Sequence, residues 1–141
     1  RLDKPVLHFT APPKERVNKE LSLFFNWFNK TQNEPQIDPF IRAAIAHLWF
    51  VTIHPLEDGN GRITRLITDL ALAQEHAESI RFYAMSVAIL EDRKSYYEVL
   101  EATQRGELCI TQWVKWFLCT LNNAIHHTLN NIEQTIFKTN Y

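Results

Sequence analysis

One stretch of the sequence is apolar on nearly every side of a helix and sets the architecture of the whole chain. From Phe40 to Ile53 almost every residue is apolar, and neither glycine nor proline interrupts the run. Asp38 followed by Pro39 is typical of an N-cap and a first helical residue, and Pro55 ends the stretch. A helix that is apolar all round is buried, so other helices must pack around it.

The segments on either side have helical spacing. Apolar residues recur with a helical period before the central stretch and predict an amphipathic helix of about 14 residues. They are Val17, Leu21, Phe24, Phe25 and Phe28. After it, a second apolar face predicts a helix whose core side carries Ile63, Leu66, Ile67 and Leu70.

The last third of the chain predicts two more helices. Ser86 is an N-cap candidate for one that runs to about Arg105, where Gly106 is a stop signal. Thr111 is the N-cap candidate for the last strong helix, and the tail from about Asn130 has a weaker pattern. The core face of that last helix has four members: Trp113, Trp116, Phe117 and Leu121. The fold class is therefore all-α.

The first residues differ from the rest. Residues 1–13 have an extended pattern, because Val6, His8 and Thr10 alternate with apolar neighbours before Pro12. The chain begins at Arg1, and we expect that an upstream region is missing. A length of 141 residues predicts a single domain, residues 1–141.

Composition excludes several classes of function. A net charge of −1 gives no support for a nucleic-acid partner. No apolar run approaches the roughly 18 residues of a membrane span. Cys109 and Cys119 form no metal-binding spacing, so we predict buried thiols in a reducing, cytoplasmic setting.

The segment 54–65 concentrates the chemistry. The sequence has three glycines, and Gly59 and Gly61 flank Asn60 directly before a predicted helix. Glycines at a helix N-terminus let backbone N–H groups converge on an anion, usually a phosphate. Arg62 and Arg65 share a helix face and can reach the same anion.

Two further residues complete this predicted site. Asp58 is a natural Mg²⁺ ligand beside a polyphosphate, and His54 is a candidate general base because an imidazole titrates near neutral pH. A base, a metal ligand, a phosphate cradle and arginines together predict phosphoryl or nucleotidyl transfer. His47, two helical turns before His54, is interpreted as a core histidine; a metal pair with His54 lacks a third ligand. Arg42 is interpreted as part of a solvated helix face.

The segment resembles the signature of Fic-domain proteins, His-x-Phe-x-Asp/Glu-Gly-Asn-Gly-Arg-x-x-Arg. Every specified position is met except one, because Leu56 stands where Phe is usual. We expect Leu56 to fill the core under the loop. The approach Ala44-x-x-His47-x-x-Phe50-x-x-Ile53 is also similar to the central helix of that family.

The resemblance implies a protein adenylyltransferase that uses ATP and Mg²⁺, on a Fic-type helical bundle with a short β-hairpin flap. It implies that His54 is the base and that Asp58 holds Mg²⁺. Gly59, Asn60 and Gly61 would form the anion hole, while Arg62 and Arg65 would bind phosphates.

The resemblance also assigns the nucleoside and the target. Tyr97 and Gln104 match the nucleoside-binding positions, although Gln replaces the usual Asn. Residues 5–10, with Val6, Leu7 and His8, match part of the flap that pairs with the target backbone. The implied partners are a protein with an exposed hydroxyl, or the chain itself, and an inhibitory segment or antitoxin-like protein.

Two alternatives remain open from the sequence. The same site can serve removal of AMP, or transfer of another nucleotide or of phosphocholine. Leu56 and Gln104 also leave open a module that senses nucleotides without turnover. A kinase-like branch of the fold has Lys at the position of Gly61, so the glycine favours AMP transfer over phosphate transfer.

Overall fold

The computed structural model describes residues 10–75 and 83–139. Within these ranges the chain forms helices and no strands, which confirms the all-α prediction. The helices are α1 (Lys14–Lys30), α2 (Pro39–Ile53), α3 (Asn60–Glu75), α4 (Tyr83–Glu91), α5 (Arg93–Arg105) and α6 (Thr111–Thr139). The predicted flap residues Val6, Leu7 and His8 lie outside the described residues.

The apolar helix α2 lies at the centre of the domain. It packs against α1, α3 and α6, and α4 and α5 pack against α6. Asp38 caps α2 as predicted, since its Oδ1 accepts the backbone N–H groups of Phe40 (2.9 Å) and Ile41 (3.0 Å). The indole N–H of Trp113 in α6 donates to the Ala44 carbonyl at 2.8 Å, which fixes α6 against the middle of α2.

The buried face of α3 differs from the predicted one. Of the four predicted core residues, Ile63, Leu66 and Leu70 are exposed and only Ile67 is buried, while the helix buries Thr64 and Thr68 beside it. The two hydroxyls donate to the carbonyls of Asn60 (2.7 Å) and Thr64 (2.8 Å), so neither buried polar group is left unsatisfied. Burying satisfied threonines lets α3 approach α2 closely and turns the leucines outward.

Two predicted boundaries in the last third were wrong. The predicted Ser86–Arg105 helix is two helices, and Ser86 lies inside α4 rather than at its start. Asp92 interrupts the run because its side chain accepts the Ser95 N–H at 3.3 Å and begins α5. The tail beyond Asn130, whose pattern was weaker, continues α6 as a helix to Thr139. The prediction of buried thiols was also wrong, because Cys109 and Cys119 are both exposed.

Arg42 is fully buried, which contradicts its interpretation as a solvated residue. Its guanidinium joins the end of α1 to α2: Nε donates to Thr31 Oγ1 at 2.9 Å and Nη2 to the Phe28 carbonyl at 2.7 Å. Nη2 also donates to Gln74 Oε1 at 3.1 Å, and the group lies 4.5 Å from the Phe28 ring centroid. A buried cation thus satisfies the Phe28 carbonyl and the Thr31 hydroxyl at the negative end of α1.

We expect Arg42→Lys to lower the free energy of unfolding by about 1–2 kcal/mol, because an ammonium keeps the charge but cannot form the forked set of bonds. Urea denaturation measures the difference. Arg16→Lys is the matched control on the exposed face of α1 and should change the free energy by less than about 0.5 kcal/mol. Equal stability of the two variants would contradict the structural role of Arg42.

Candidate active site

The loop between α2 and α3 begins at His54 with an unusual backbone conformation. His54 has φ 49° and ψ 56°, and its N–H donates to the Phe50 carbonyl at 3.2 Å. Among the described residues it is the only non-glycine with positive φ. Such a conformation costs about 1–3 kcal/mol, and it recurs at functional sites. It ends α2 and leaves the imidazole exposed rather than buried in the core.

Asn60 holds the shape of the loop from inside. Its side chain is buried, its Oδ1 accepts the Leu56 N–H at 2.9 Å, and its Nδ2 donates to the Leu56 carbonyl at 2.6 Å. The amide therefore braces the loop through main-chain groups. The Leu56 side chain is 43% exposed, so the expectation that it fills the core under the loop was wrong.

The first turn of α3 leaves backbone donors at its start. The Ile63 N–H donates to the Gly59 carbonyl at 3.0 Å and opens the helical ladder. The N–H groups of Asn60, Gly61 and Arg62 therefore precede the ladder and have no acceptor within the helix. With the positive end of the helix dipole, they form an arrangement that can bind an anion.

The two glycines of this turn lie close to arginine side chains, and only Gly59 has a backbone conformation that favours glycine. Gly59 has φ +87°, and a Cβ there would lie 3.3 Å from Arg62 Nη2. A Cβ at Gly61 would lie 3.4 Å from Arg65 Nη1. The left-handed conformation at Gly59 disfavours residues with a Cβ, whereas at Gly61 a Cβ would be in ordinary van der Waals contact with Arg65.

Asp58, which lies just before α3, and Arg62, in the first turn of α3, form an exposed ion pair. Arg62 Nη2 lies 3.2 Å from Asp58 Oδ2, while Asp58 Oδ1 accepts the Gly59 N–H at 2.7 Å. No cluster of three or more His, Cys, Asp or Glu side chains occurs in the described part of the chain. One carboxylate fits Mg²⁺ when substrate phosphates and waters complete the coordination, and it does not fit a metal held by protein alone.

Arg65 is half-buried behind the turn and influences three titratable groups. Burial raises the pKa of Asp69 to about 6, and the Arg65 charge opposes that rise. Burial lowers the pKa of His47 to about 3, and Arg65 adds to the lowering. Burial also raises the pKa of Tyr96, with Tyr97 adding to the rise and Arg65 opposing it. Arg65 therefore carries its charge into a region of low polarity beside the turn.

The predicted nucleoside residues occupy different surroundings on α5. Tyr97 is 57% exposed, and its ring centroid lies 5.1 Å from that of Tyr96. Gln104 donates from Nε2 to Thr52 Oγ1 at 3.0 Å, which attaches α5 to α2 near His54. Gln104 also lines an open groove of about 510 Å³ with Trp49 and Thr52, and Tyr97 is not among its lining residues.

A buried polar group of three side chains was not predicted from the sequence. The ring of His47, which is 1% exposed, bonds through Nδ1 to Thr68 Oγ1 (2.9 Å) and through Nε2 to Tyr96 Oη (3.0 Å). The prediction of a core histidine is confirmed, but its partners were missed. The sequence did contain one signal for these partners. Thr64 and Thr68 are four residues apart in α3, a helix that packs against the apolar helix α2.

The neutral state of His47 predicts that acid destabilises the fold. Between about pH 3 and pH 6.5, His47 is protonated in the unfolded chain but neutral in the folded protein. The free energy of unfolding should therefore fall as the pH drops through that window. The slope is at most about 1.4 kcal/mol per pH unit. Asp69 acts in the opposite direction between pH 3.8 and about 6, because its folded form retains a proton longer.

Urea denaturation across the pH range tests this expectation. His47→Gln should remove the loss of stability on acidification, since glutamine does not titrate. Asp69→Asn should make the loss steeper, because it removes the opposing group. A wild-type stability that does not change from pH 6.5 to pH 4, with both variants equally flat, would contradict a neutral buried His47.

No described helix combines the length and the apolar character that crossing a bilayer requires.

The fold and the loop together define an all-α domain in which a helix–loop–helix unit presents an exposed histidine beside a glycine turn. Residues 2–72, half of the chain, match the family model of the Fic/DOC family. The chain belongs to the Fic/DOC family.

Relatives and a solved structure agree with this assignment. The chain is 34% identical over 100 residues to the protein adenylyltransferase fic-1 of Caenorhabditis elegans, covering 71% of this chain and 18% of that protein. It is 27% identical over 104 residues to a probable protein adenylyltransferase of Aquifex aeolicus, covering 74% and 29%. A Fic family protein from Desulfovibrio desulfuricans superposes with a TM-score of 0.77 at 27% identity, covering 91% of this chain and 38% of the other. The chain thus spans less than a third of the length of these two curated relatives.

Proposed function

We propose that the chain is the catalytic domain of a protein adenylyltransferase, which moves AMP from ATP to a Tyr, Thr or Ser hydroxyl of a target protein. The observation that carries the proposal is the arrangement around Gly59. An exposed His54 lies at one end of a braced loop, and N–H groups without an acceptor in α3 lie with Arg62 and Arg65 at the other end. The names of the relatives support the same activity.

In the proposed reaction His54 accepts the proton of the target hydroxyl. The hydroxyl oxygen then attacks the α-phosphorus of ATP, the bond to the bridging oxygen of the β-phosphate breaks, and pyrophosphate leaves. The backbone of Gly59, Asn60 and Gly61 binds phosphate oxygens and stabilises charge in the transition state. Arg62 binds the β- and γ-phosphates, and Arg65 assists at the γ-phosphate.

Asp58 is the residue that would hold Mg²⁺, which supplies neutralisation of phosphate charge when it is bound with ATP. Its carboxylate is 3.2 Å from Arg62 before any ligand arrives. Binding of nucleotide therefore exchanges this exposed ion pair for contacts with phosphate. An exposed pair contributes only about 0–1 kcal/mol, so the exchange costs little.

The remaining predicted residues bind the nucleoside or the target protein in the proposed reaction. Tyr97 and Gln104 contact the nucleoside, and Gln104 is already oriented by Thr52. Val6, Leu7 and His8 form the flap that pairs with the target backbone. The chain acts in the cytoplasm, and its target is a protein with an exposed hydroxyl residue or the chain itself. An inhibitory segment or antitoxin-like partner supplies a glutamate that pairs with Arg65.

Incubation with Mg²⁺ and ATP labelled at the α-phosphate, followed by mass spectrometry, tests the proposal. An added AMP on a Tyr, Thr or Ser of the chain or of a lysate protein is the expected result. ATP labelled at the γ-phosphate should give no transfer. Parallel reactions contain UTP, GTP, CDP-choline or an adenylylated protein. Transfer from one of those donors only, release of AMP only, or tight ATP binding without any transfer would each overturn the proposal.

A further inference from the structure

A line of side-chain hydrogen bonds, joined within α3 through the covalent structure of Thr64, runs through the interior from α3 to α5. The Thr64 hydroxyl donates to the Asn60 carbonyl at 2.7 Å, and the Thr68 hydroxyl donates to the Thr64 carbonyl at 2.8 Å. His47 of α2 then bonds to Thr68 at 2.9 Å and to Tyr96 of α5 at 3.0 Å. We call these residues the buried relay. The relay connects three helices through one ring.

The directions of these bonds fix the tautomer of His47. The only hydroxyl proton of Thr68 is given to the Thr64 carbonyl, so Thr68 Oγ1 must accept from His47 Nδ1–H. His47 Nε2 then has a lone pair and accepts the Tyr96 O–H. Every donor and acceptor of the relay is matched in one arrangement only, which gives the contact between the helices a unique geometry.

Aromatic neighbours prevent the ring from turning. Its centroid lies 5.2 Å from that of Trp113, 6.1 Å from that of Phe117 and 5.6 Å from that of Tyr96. A leucine would fill the same space in an apolar core but would hold neither helix in register. The use of a buried polar ring here therefore points to alignment of helices rather than to filling of volume.

The two ends of the relay lie at the two halves of the proposed nucleotide site. At one end Asn60 and Thr64 belong to the first two turns of α3, which carry Gly61 and Arg62. At the other end Tyr96 packs against Tyr97. We propose that His47 is a positioning residue that sets the distance between the phosphate-binding turn of α3 and the nucleoside-binding face of α5. This inference rests on the proposed function.

Breaking the relay should weaken binding of the whole nucleotide more than binding of its parts. Thr68→Val removes the α3 link and Tyr96→Phe removes the α5 link, and each keeps the shape of its side chain. We expect either variant to weaken ATP binding about 10-fold, because misplacement of linked contacts is costly. Binding of tripolyphosphate and of adenosine, measured by competition with labelled ATP, should change less than about 2-fold.

The double variant distinguishes an effect on the relative position of α3 and α5 from a general loss of stability. A chain broken at one link is already broken, so the Thr68→Val and Tyr96→Phe pair should bind ATP about as weakly as either single variant. His47→Gln can donate to Thr68 and accept from Tyr96, so it should bind ATP more tightly than His47→Leu. Thr128→Val is the control, since that hydroxyl also bonds to a carbonyl one turn earlier, at 3.0 Å, but outside the relay. Its ATP affinity should equal that of the wild type.

The outcomes distinguish this inference from the proposed function. If the wild-type protein binds ATP and the relay variants bind it equally well, the inference is overturned and the proposed function stands. Additive losses, or equal losses for tripolyphosphate, adenosine and ATP, also overturn it, because they indicate general damage. If the wild-type protein does not bind ATP, the proposed function fails and the inference fails with it.

Discussion

Replacing His54 by alanine should lower transfer of label from α-labelled ATP by about 10²–10⁴-fold, because that is the contribution of a general base. His54→Asn is the sharper variant, since asparagine tolerates the left-handed conformation (φ 49°) that ends α2. Both variants should bind ATP with nearly wild-type affinity, because His54 acts on the target hydroxyl. The measurements are the initial rate of transfer and the dissociation constant of ATP.

His126→Ala serves as the control for this comparison. His126 is exposed on α6, so the change removes a histidine without altering the loop. Its rate of transfer should equal that of the wild type. Wild-type rates for both His54 variants would refute the role of that residue as base, whereas a rate lost in His54→Ala but kept in His54→Asn would reduce its role to shaping the loop.

Replacing Arg62 by alanine should weaken ATP binding about 10- to 100-fold, because a guanidinium forms strong charge-assisted bonds with phosphate. The structure offers a closely matched control on α1. Arg16 and Glu20 form an ion pair with the same 3.2 Å separation and the same four-residue spacing as Arg62 and Asp58, although Glu20 is less exposed than Asp58. Arg16→Ala therefore removes a comparable ion pair on a different helix, α1.

The two alanine variants should lose similar, small amounts of stability, about 0–1 kcal/mol each. Only Arg62→Ala should lose affinity for ATP and for tripolyphosphate. Binding of adenosine should be unchanged in both, since it carries no phosphate. If Arg16→Ala and Arg62→Ala bound ATP equally well, the glycine turn would not be the phosphate site.

Features that depend on local sequence were predicted well. Asp38 and Pro39 determine where α2 begins, because capping and the proline φ angle act over one turn. The positive φ of Gly59 also follows from a glycine pair beside a helix start. The predicted roles of His54, Asp58 and Arg62 rest on one short segment and stay predictions until the chemistry is measured.

Features that depend on contacts between helices were not predictable in this way. Apolar spacing alone assigned Leu66 and Leu70 of α3 to the core, but buried Thr64 and Thr68 satisfy their hydroxyls within the helix and let α3 approach α2. A charged residue at position 42 suggested solvent, yet Arg42 is buried and donates to the Thr31 hydroxyl and the Phe28 carbonyl at the end of α1. In each case burial is decided by packing against another helix, and a periodic pattern within one helix does not contain that information.

The bond between Asn60 and Leu56 has a consequence for how much this loop can vary. The amide recognises only the N–H and carbonyl of residue 56, groups that every residue except proline possesses. The loop geometry therefore does not depend on the exposed side chain at position 56. A leucine in place of the usual phenylalanine is then a change of surface and not of framework, and the curvature that brings His54 and the glycine turn together survives it.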